Sequence, residues 1–254
     1  MDEGIFSLHA QLEEGHWWFQ ARAHIIQRLC SCLLGNRRQA TILDLGCGTG
    51  GILAGLAGEY QCRGLDPSAQ AISLARRRYP RVAFQQCHPS RIFDEGVAEA
   101  DLVLLLDVLE HLPDPAPALA RLVSRLRPGS HLLITVPADM RLWSPHDLSY
   151  HHYRRYQAEE LAALWRNLPV QERLLAYFNS RLYPLVLCLR TISGMLGSAL
   201  GGRGTDLRPL PQPLNALLQR IMAGESRVLV ELLQGRRQRG YRRGVSLAAV
   251  LRRC

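Results

Sequence analysis

Two acids and a run of glycines are the residues of this chain with the most specific chemistry. Asp44-Leu-Gly46-Cys-Gly48-Thr-Gly50 closes one apolar stretch, and Asp66 closes the next, Cys62-Arg-Gly-Leu-Asp66. Glycines let the backbone turn sharply and let a ligand approach the chain closely. An acid one strand later can accept both hydroxyls of a ribose. A dinucleotide site would instead carry Gly-x-Gly-x-x-Gly and rest a pyrophosphate on a helix N-terminus. Here an acid precedes the first glycine and no basic residue accompanies it. Such an acid repels phosphate but accepts from a cationic amino group, so the pattern points to a nucleoside that carries one.

A second set of residues suits proton transfer. Asp107-Val-Leu-Glu110-His111 follows an apolar run, and His151 and His152 lie in His146-Asp-Leu-Ser-Tyr-His-His-Tyr-Arg-Arg-Tyr156. Histidine titrates near neutral pH and serves as a general base. Both segments fall just beyond apolar runs that read as neighbouring strands, at the edge where open α/β sheets bind ligands. A purely structural role, with Glu110 and His111 capping the strand and ordering the loop, is the competing reading.

The elements that must hold these groups alternate along the chain. Strands are expected at 42–45, 62–65, 82–85, 102–106, 131–136, 170–178 and 245–251, with helices from Gly50, Ser68, Asp114 and Gln157. Residues 102–106 are consecutively apolar, as a central strand covered on both faces requires. Asp114-Pro115 supplies an N-cap and a first-turn proline. Residues 1–40 read as helix; Trp17, Trp18 and Phe19 are too apolar to face solvent together. Residues 179–240 are an insertion before the last strand. Leu182, Leu185, Val186, Leu189, Ile192, Leu196 and Leu200 mark one helical face, and Tyr183, Leu187 and Met195 the other. A flexible turn, Gly201-Gly-Arg-Gly-Thr205, leads to a second helix carrying Leu214, Leu217, Leu218, Ile221, Met222, Val228, Leu229 and Leu232. Glu225 falls on that apolar stripe, so it must pair with an arginine or line a polar cavity. Pro184, Arg190 and the glycines argue against a transmembrane span, which leaves a substrate roof, a dimer contact or attachment at a membrane surface.

At 254 residues and 47% apolar content, the chain suits one α/β domain with an elaboration. Its seven cysteines are scattered and suggest neither a disulfide frame nor a structural zinc site. No basic, apolar leader opens the sequence, and a reducing cytoplasm fits, with contact at the inner membrane face left open. The net charge of +9 comes from 31 arginines and no lysine. Residues 203–254 hold eleven of these arginines against Asp206, Glu225 and Glu231. The dense stretch Arg236-Arg-Gln-Arg-Gly-Tyr-Arg-Arg243 could meet RNA or anionic headgroups, but a solvated loop before the last strand is the simpler reading.

Four motifs in order carry a family resemblance: Asp44-x-Gly-x-Gly-x-Gly, Gly64-Leu-Asp66-Pro-Ser, Leu106-Asp-Val-Leu-Glu-His-Leu-Pro-Asp-Pro115 and Leu126-Arg-Pro-Gly-Ser-His-Leu-Leu-Ile-Thr-Val-Pro137. Over about a hundred residues the chain resembles class I S-adenosylmethionine-dependent methyltransferases, of the type 11 and ubiquinone-biosynthesis O-methyltransferase kind. The resemblance implies a Rossmann-like, doubly wound, seven-stranded and mostly parallel sheet with an antiparallel last strand. Residues 1–40 would be a helical lid, 41–178 the cofactor-binding core, 179–240 a helical insertion and 241–254 the last strand. It implies S-adenosylmethionine as cofactor, contacted by Asp44, Gly46, Gly48, Asp66 and backbone near Asp107. Related lids open with a similar Trp-Trp-Phe…Arg segment, so Trp18 or Phe19 would cover the donor and Arg22 would reach its carboxylate. Where relatives carry Gly-Asp after the third strand this chain has Cys87-His88, and His88 is the substitute for the missing adenine contact.

Glu110, His111 and His152 are the catalytic candidates. In the ubiquinone group a similar cluster, here Asp107, Glu110, His111 and His152, is associated with a divalent metal. Many relatives sharing Glu-His-x-Pro are not known to need one, and no metal ligand is assigned. The implied reaction is methylation of a small-molecule acceptor, at oxygen before other atoms, with the apolar insertion favouring a lipid-like, isoprenoid or natural-product acceptor. DNA is not expected as a partner. The rivals are an RNA methyltransferase using the arginine-rich tail and a non-catalytic cofactor-binding subunit.

Overall fold

A computed structural model of the chain describes residues 3–196 and 205–254. Seven strands, Thr41–Leu45 (β1), Gln61–Asp66 (β2), Ala83–Gln86 (β3), Leu102–Leu106 (β4), His131–Pro137 (β5), Val170–Phe178 (β6) and Ser246–Arg253 (β7), form one sheet in the order β3-β2-β1-β4-β5-β7-β6. Pairing is parallel from β3 to β5, and β7 runs antiparallel to both β5 and β6. The order reverses between β1 and β4. That reversal opens a crevice at the carboxyl ends of the strands, where ligands bind in such sheets.

Side-chain alternation divides the core between the two faces. Ile42, Leu102, Leu104 and Leu133 pack on one face with Ile25 and Leu29 of the helix Trp17–Leu34 (α2). Leu43, Leu45, Val103, Leu105 and Ile134 pack on the other with Leu119, Leu122 and Val123 of Pro115–Arg125 (α5) and Leu161 of Ala158–Ala163 (α7). The central strand β4 is buried along its whole length, as its unbroken apolar run requires. Asp114 caps α5 by accepting from Ala116 N, with Pro115 in the first turn, and Ser68 caps Ala69–Arg78 (α4) by accepting from Ala71 N.

The amino-terminal segment folds as two helices, Glu3–Leu12 (α1) and α2. The side chain of His16 accepts from Trp18 N at the start of α2. The turn between the helices is fixed by Asn215, whose carboxamide accepts from Trp17 N at 2.8 Å and donates to Gly15 O at 2.9 Å. The glycine loop enters a helix of one turn, Gly51–Ala54 (α3), and β5 is followed by another short helix, Pro145–Ser149 (α6).

The insertion contributes Tyr183–Leu196 (α8), Gln212–Ala223 (α9) and Ser226–Leu233 (α10). The side chains of Met195 and Leu196, together with Leu200 and the turn at 201–204, lie outside the described residues. The second helix of the insertion, continuous by periodicity, is broken at Gly224–Glu225. There Glu225 turns its buried carboxylate onto the backbone, accepting from Ser180 N at 2.9 Å and from Arg181 N at 2.8 Å. Glycine is a weak helix former, so the interruption is cheap at that point. Among the described residues no helix is long and apolar enough to cross a membrane. The stretch 236–243 forms an exposed approach to β7, with Tyr241 bridged to Tyr177.

Candidate active site

A cavity of about 1020 Å³ occupies the crevice at the carboxyl edge of the sheet, between the strand ends and α1, α2, α8 and α9. Its first half surrounds the glycine loop. Gly46 has φ +81°, and a Cβ there would lie 2.7 Å from a Val108 methyl, so the turn admits no side chain. Asp66 accepts from Gly48 N at 2.9 Å and from Ser68 N at 2.8 Å, which orients its carboxylate towards the cavity. Burial raises the pKa of Asp66, although these two donors oppose the shift. Asp44 is buried and its Oδ1 has no partner. Desolvation pushes its carboxyl up to about 7, with Arg22 pulling down and Asp66 pushing up.

Arg22 stands across from Asp44 on α2. Its guanidinium pairs with Asp107 at 2.8 Å and lies 5.4 Å from the ring centroid of Trp18, while its buried Nε has no partner. Asp107 adopts φ +58° at the end of β4 and also accepts from Thr135 Oγ1 at 3.0 Å. Pro67, Pro89, Ile92, Phe93 and Val108 line the same half. His88 is not among the lining residues; its Nδ1 meets Ser90 Oγ at 2.8 Å on the exposed side of that turn.

The glycine loop is covered from above by α1 and the turn that follows it. Glu13 accepts from Thr49 Oγ1 at 3.0 Å and from Gly51 N at 3.1 Å, and it forms an ion pair with Arg78 of α4. Gln70 of α4 donates to Ser7 at 3.5 Å. On the opposite side His9 meets the Tyr150 hydroxyl at 2.7 Å. Burial, with Arg22 adding to it, lowers the His9 pKa to about 4.

The second half of the cavity gathers Glu110, His111 and His152. Glu110 is fully buried, and neither of its carboxylate oxygens has a partner. Desolvation and then Asp107 raise its pKa well above the usual carboxylate range. The His111 and His152 rings stand 4.8 Å apart, edge to face. Burial and then His152 lower the His111 pKa to about 4, which keeps it neutral. Ligand atoms of Glu110, His111 and His152 all lie within 4.8 Å of one another.

Behind His152 stands an acid that spacing alone did not single out. Asp147 Oδ1 lies 3.0 Å from His152 Nδ1 and accepts from Arg155 Nε at 2.8 Å. Its other oxygen accepts from Ser144 N at 3.0 Å and meets Arg190 of α8 at 3.4 Å. Burial pushes the Asp147 carboxyl up, but His152, Arg155 and Arg190 outweigh it and hold the group well below its ordinary value. Arg190 continues to Asp206 at 3.0 Å, so the insertion is tied to the imidazole through a buried charge network. The one available signal was Arg190 itself, a lone cation in an apolar helix that needs a buried partner. Leu182, Leu185, Val186, Leu189, Leu214 and Leu218 form the roof of this half. Glu225, by contrast, neither pairs with an arginine side chain nor lines the cavity; it caps backbone N–H groups.

Residues 16–179 match the family model described as a methyltransferase domain. A trans-aconitate 2-methyltransferase from Methylobacterium nodulans is 30% identical over 195 residues, 71% of this chain and 73% of that protein. A ubiquinone biosynthesis O-methyltransferase from Alkalilimnicola ehrlichii is 33% identical over 107 residues, and the match spans 40% of this chain but only 43% of that protein's length. Among solved structures, the plantazolicin methyltransferase BamL, in complex with a triazolic desmethyl analogue and S-adenosylhomocysteine, has a TM-score of 0.58 at 15% identity, covering 98% of this chain and 90% of that one. At that identity it shows the shared fold. The orphaned acid beside the glycine loop, the sheet order and the family match agree: the chain belongs to the class I S-adenosylmethionine-dependent methyltransferases.

Proposed function

We propose that the protein transfers the methyl group of S-adenosylmethionine to a hydroxyl of a small acceptor with an apolar body, of lipid-like, isoprenoid or natural-product kind. One observation carries the reading: a single cavity holds an unpartnered Asp44 oxygen beside the glycine loop and, in its other half, an imidazole oriented by a buried carboxylate. In the first half Asp66 would accept the ribose hydroxyls. Asp44 Oδ1 and Arg22 Nε, both lacking partners, would take the ammonium and carboxylate of the methionine portion, with Trp18 against it. The adenine would sit among Pro67, Ile92, Phe93 and Val108.

Methyl transfer from a sulfonium is an in-line displacement, so the chain's main tasks are alignment and removal of a proton. The acceptor oxygen forms a bond to the methyl carbon as the sulfur–carbon bond breaks. The hydroxyl proton passes to His152, whose tautomer Asp147 fixes, as in other acid–histidine pairs. Neutral His111 and Glu110 flank the same spot. The products are the methyl ether and S-adenosylhomocysteine. Names among the relatives support the acceptor class: one acts in ubiquinone biosynthesis and a fold neighbour methylates plantazolicin. Leu185 at 50% exposure and Leu217 at 54% carry the roof's apolar surface outwards, which suits delivery of the acceptor from an apolar phase such as a membrane face.

A second reading has its own support. Glu110, with both oxygens unpartnered, and the two histidines fit a divalent cation. Bound there, a cation would lower the pKa of the acceptor hydroxyl. The test is calorimetric titration of chelator-treated protein with S-adenosylhomocysteine, followed by its formation from S-adenosylmethionine across phenols, isoprenoid alcohols and carboxylic acids. One site per chain and turnover of a hydroxyl acceptor are expected. Cofactor binding with no turnover of any hydroxyl would overturn transfer to oxygen.

A further inference from the structure

We propose that the carboxyl end of β6 is a second polar subsite for the acceptor. There Asn179 hydrogen-bonds an uncharged donor, a hydroxyl or N–H, remote from the hydroxyl that is methylated. The inference rests on the acceptor reading above and adds to it the length and polarity of the acceptor.

Asn179 lines the cavity, is 1% exposed, and its carboxamide oxygen has no hydrogen-bond partner. Buried polar groups in folded proteins are nearly always paired, so an orphan on a residue that lines a cavity calls for an explanation. Its backbone is also unusual. Among the described residues, four that are not glycine have positive φ: Asp107, Asp139, His151 and Asn179. Three of them stand within two residues of the carboxyl ends of β4, β5 and β6. Strain of this kind persists where surrounding structure enforces it and collects at functional sites. Asp107 and Asp139 use their side chains, on Arg22 and Thr135 in the first case and on Arg141 and Tyr183 in the second. The Asn179 oxygen is left over.

The surroundings hold Asn179 in place. Glu225 accepts from the two N–H groups that follow it, Ser180 and Arg181. On the other side the chain before β7 passes so closely that a Cβ on Gly244 would lie 2.4 Å from Phe178 O. Glu225 is therefore a positioning residue: a carboxylate set in an apolar stripe to fix the turn that aims Asn179.

Place in the sheet separates this group from the cofactor. Between β4 and β6 lie β5 and β7, three strand spacings or roughly 14 Å. A nucleoside on the β1–β4 crevice does not extend there, but an elongated acceptor with its reacting hydroxyl near His152 does. Leu182, Val186 and Val245 line the cavity with Asn179. A carboxamide among such neighbours matches a neutral donor; an ionised group would be left without a counter-charge.

The experiment loads the protein with S-adenosylhomocysteine and titrates it with two probes of matched length, 4-(6-hydroxyhexyl)phenol and 4-heptylphenol. The wild type is expected to prefer the terminal hydroxyl by about tenfold, since a site built for a hydroxyl rejects the analogue that lacks it. Asn179→Leu should reverse the preference and leave S-adenosylhomocysteine affinity unchanged. Asn179→Gly, which releases the positive-φ strain, should lose the preference while unfolding no earlier than the wild type; it keeps the test alive if the leucine variant fails to fold. Glu225→Ala should also lose the preference, and Glu225→Gln should restore part of it. An unchanged probe ratio in the Asn179 variants, or no binding of either probe to the loaded wild type, overturns the subsite. Failure of the wild type to bind S-adenosylhomocysteine overturns the cofactor assignment beneath it.

Discussion

The two halves of the cavity are built by opposite means. Around the donor, one strand-and-loop segment supplies Asp44, Gly46 and Gly48, and the next strand supplies Asp66. The loop's own N–H groups complete the geometry, and Asp66 is oriented by donors two and eighteen residues away. Around the acceptor, Glu110, His111, Asp147, His152, Arg155, Arg190 and Asp206 come from five separate segments, and the last five of them are joined by charge. On the proposed reading, the donor half would bind one fixed molecule with a local motif. The roof residues of the acceptor half lie at α8 and α9, apart from the glycine loop, which suits a fold that keeps its methyl donor while acceptors differ.

The contrast can be broken at several points. The largest effect is expected at His152, where replacement by alanine should slow methyl transfer by about 10²- to 10⁴-fold with S-adenosylhomocysteine affinity retained. A parallel loss of affinity would mean that the halves are not separable. Next, Asp66→Ala should weaken S-adenosylhomocysteine binding by about 10- to 100-fold, as expected for hydrogen bonds to a charged group. Calorimetry showing no change would remove Asp66 from the donor half.

A smaller effect concerns pH. The Asp44 pKa of about 7 is raised by burial, and a ligand ammonium would favour the ionised form. Binding is therefore hindered below pH 7, where Asp44 must first lose its proton. Affinity for S-adenosylhomocysteine should rise about tenfold from pH 6 to pH 8, and a flat profile would place the ammonium elsewhere. The smallest effect is on the acceptor side, where a chelator should leave the transfer rate unchanged. A loss restored by a divalent cation would move Glu110 and the two histidines from proton transfer to cation binding.

Legibility in the sequence follows the same division. The seven strands could be read because β4 is wholly apolar, the other strands are bounded by turns, and the family resemblance supplied the antiparallel β7. The residues proposed for the donor could be put forward from the sequence because their spacing is local. His88 shows the limit even there: it replaces an acid in the motif, yet the turn after β3 directs its ring to Ser90. Asp147 could not be read, because its meaning depends on folding back under His152 and on Arg190 arriving from α8. Glu225 was conspicuous as a carboxylate on an apolar stripe. Its partners, however, are backbone N–H groups, which no sequence pattern displays.

The bonds of α1 have a kinetic consequence. Ser7, His9 and the adjoining Glu13 grip α4, Tyr150 and the glycine loop on both sides of the donor cavity. A nucleoside beneath α1 would leave past it as these bonds open, and such openings run on the slow timescale of lid motions. On the proposed reading, the amino-terminal helix would set the residence time of spent S-adenosylhomocysteine, and with it the ceiling on turnover. A substitution at Glu13 would speed departure of the product while leaving Asp44, Asp66 and Arg22 in place.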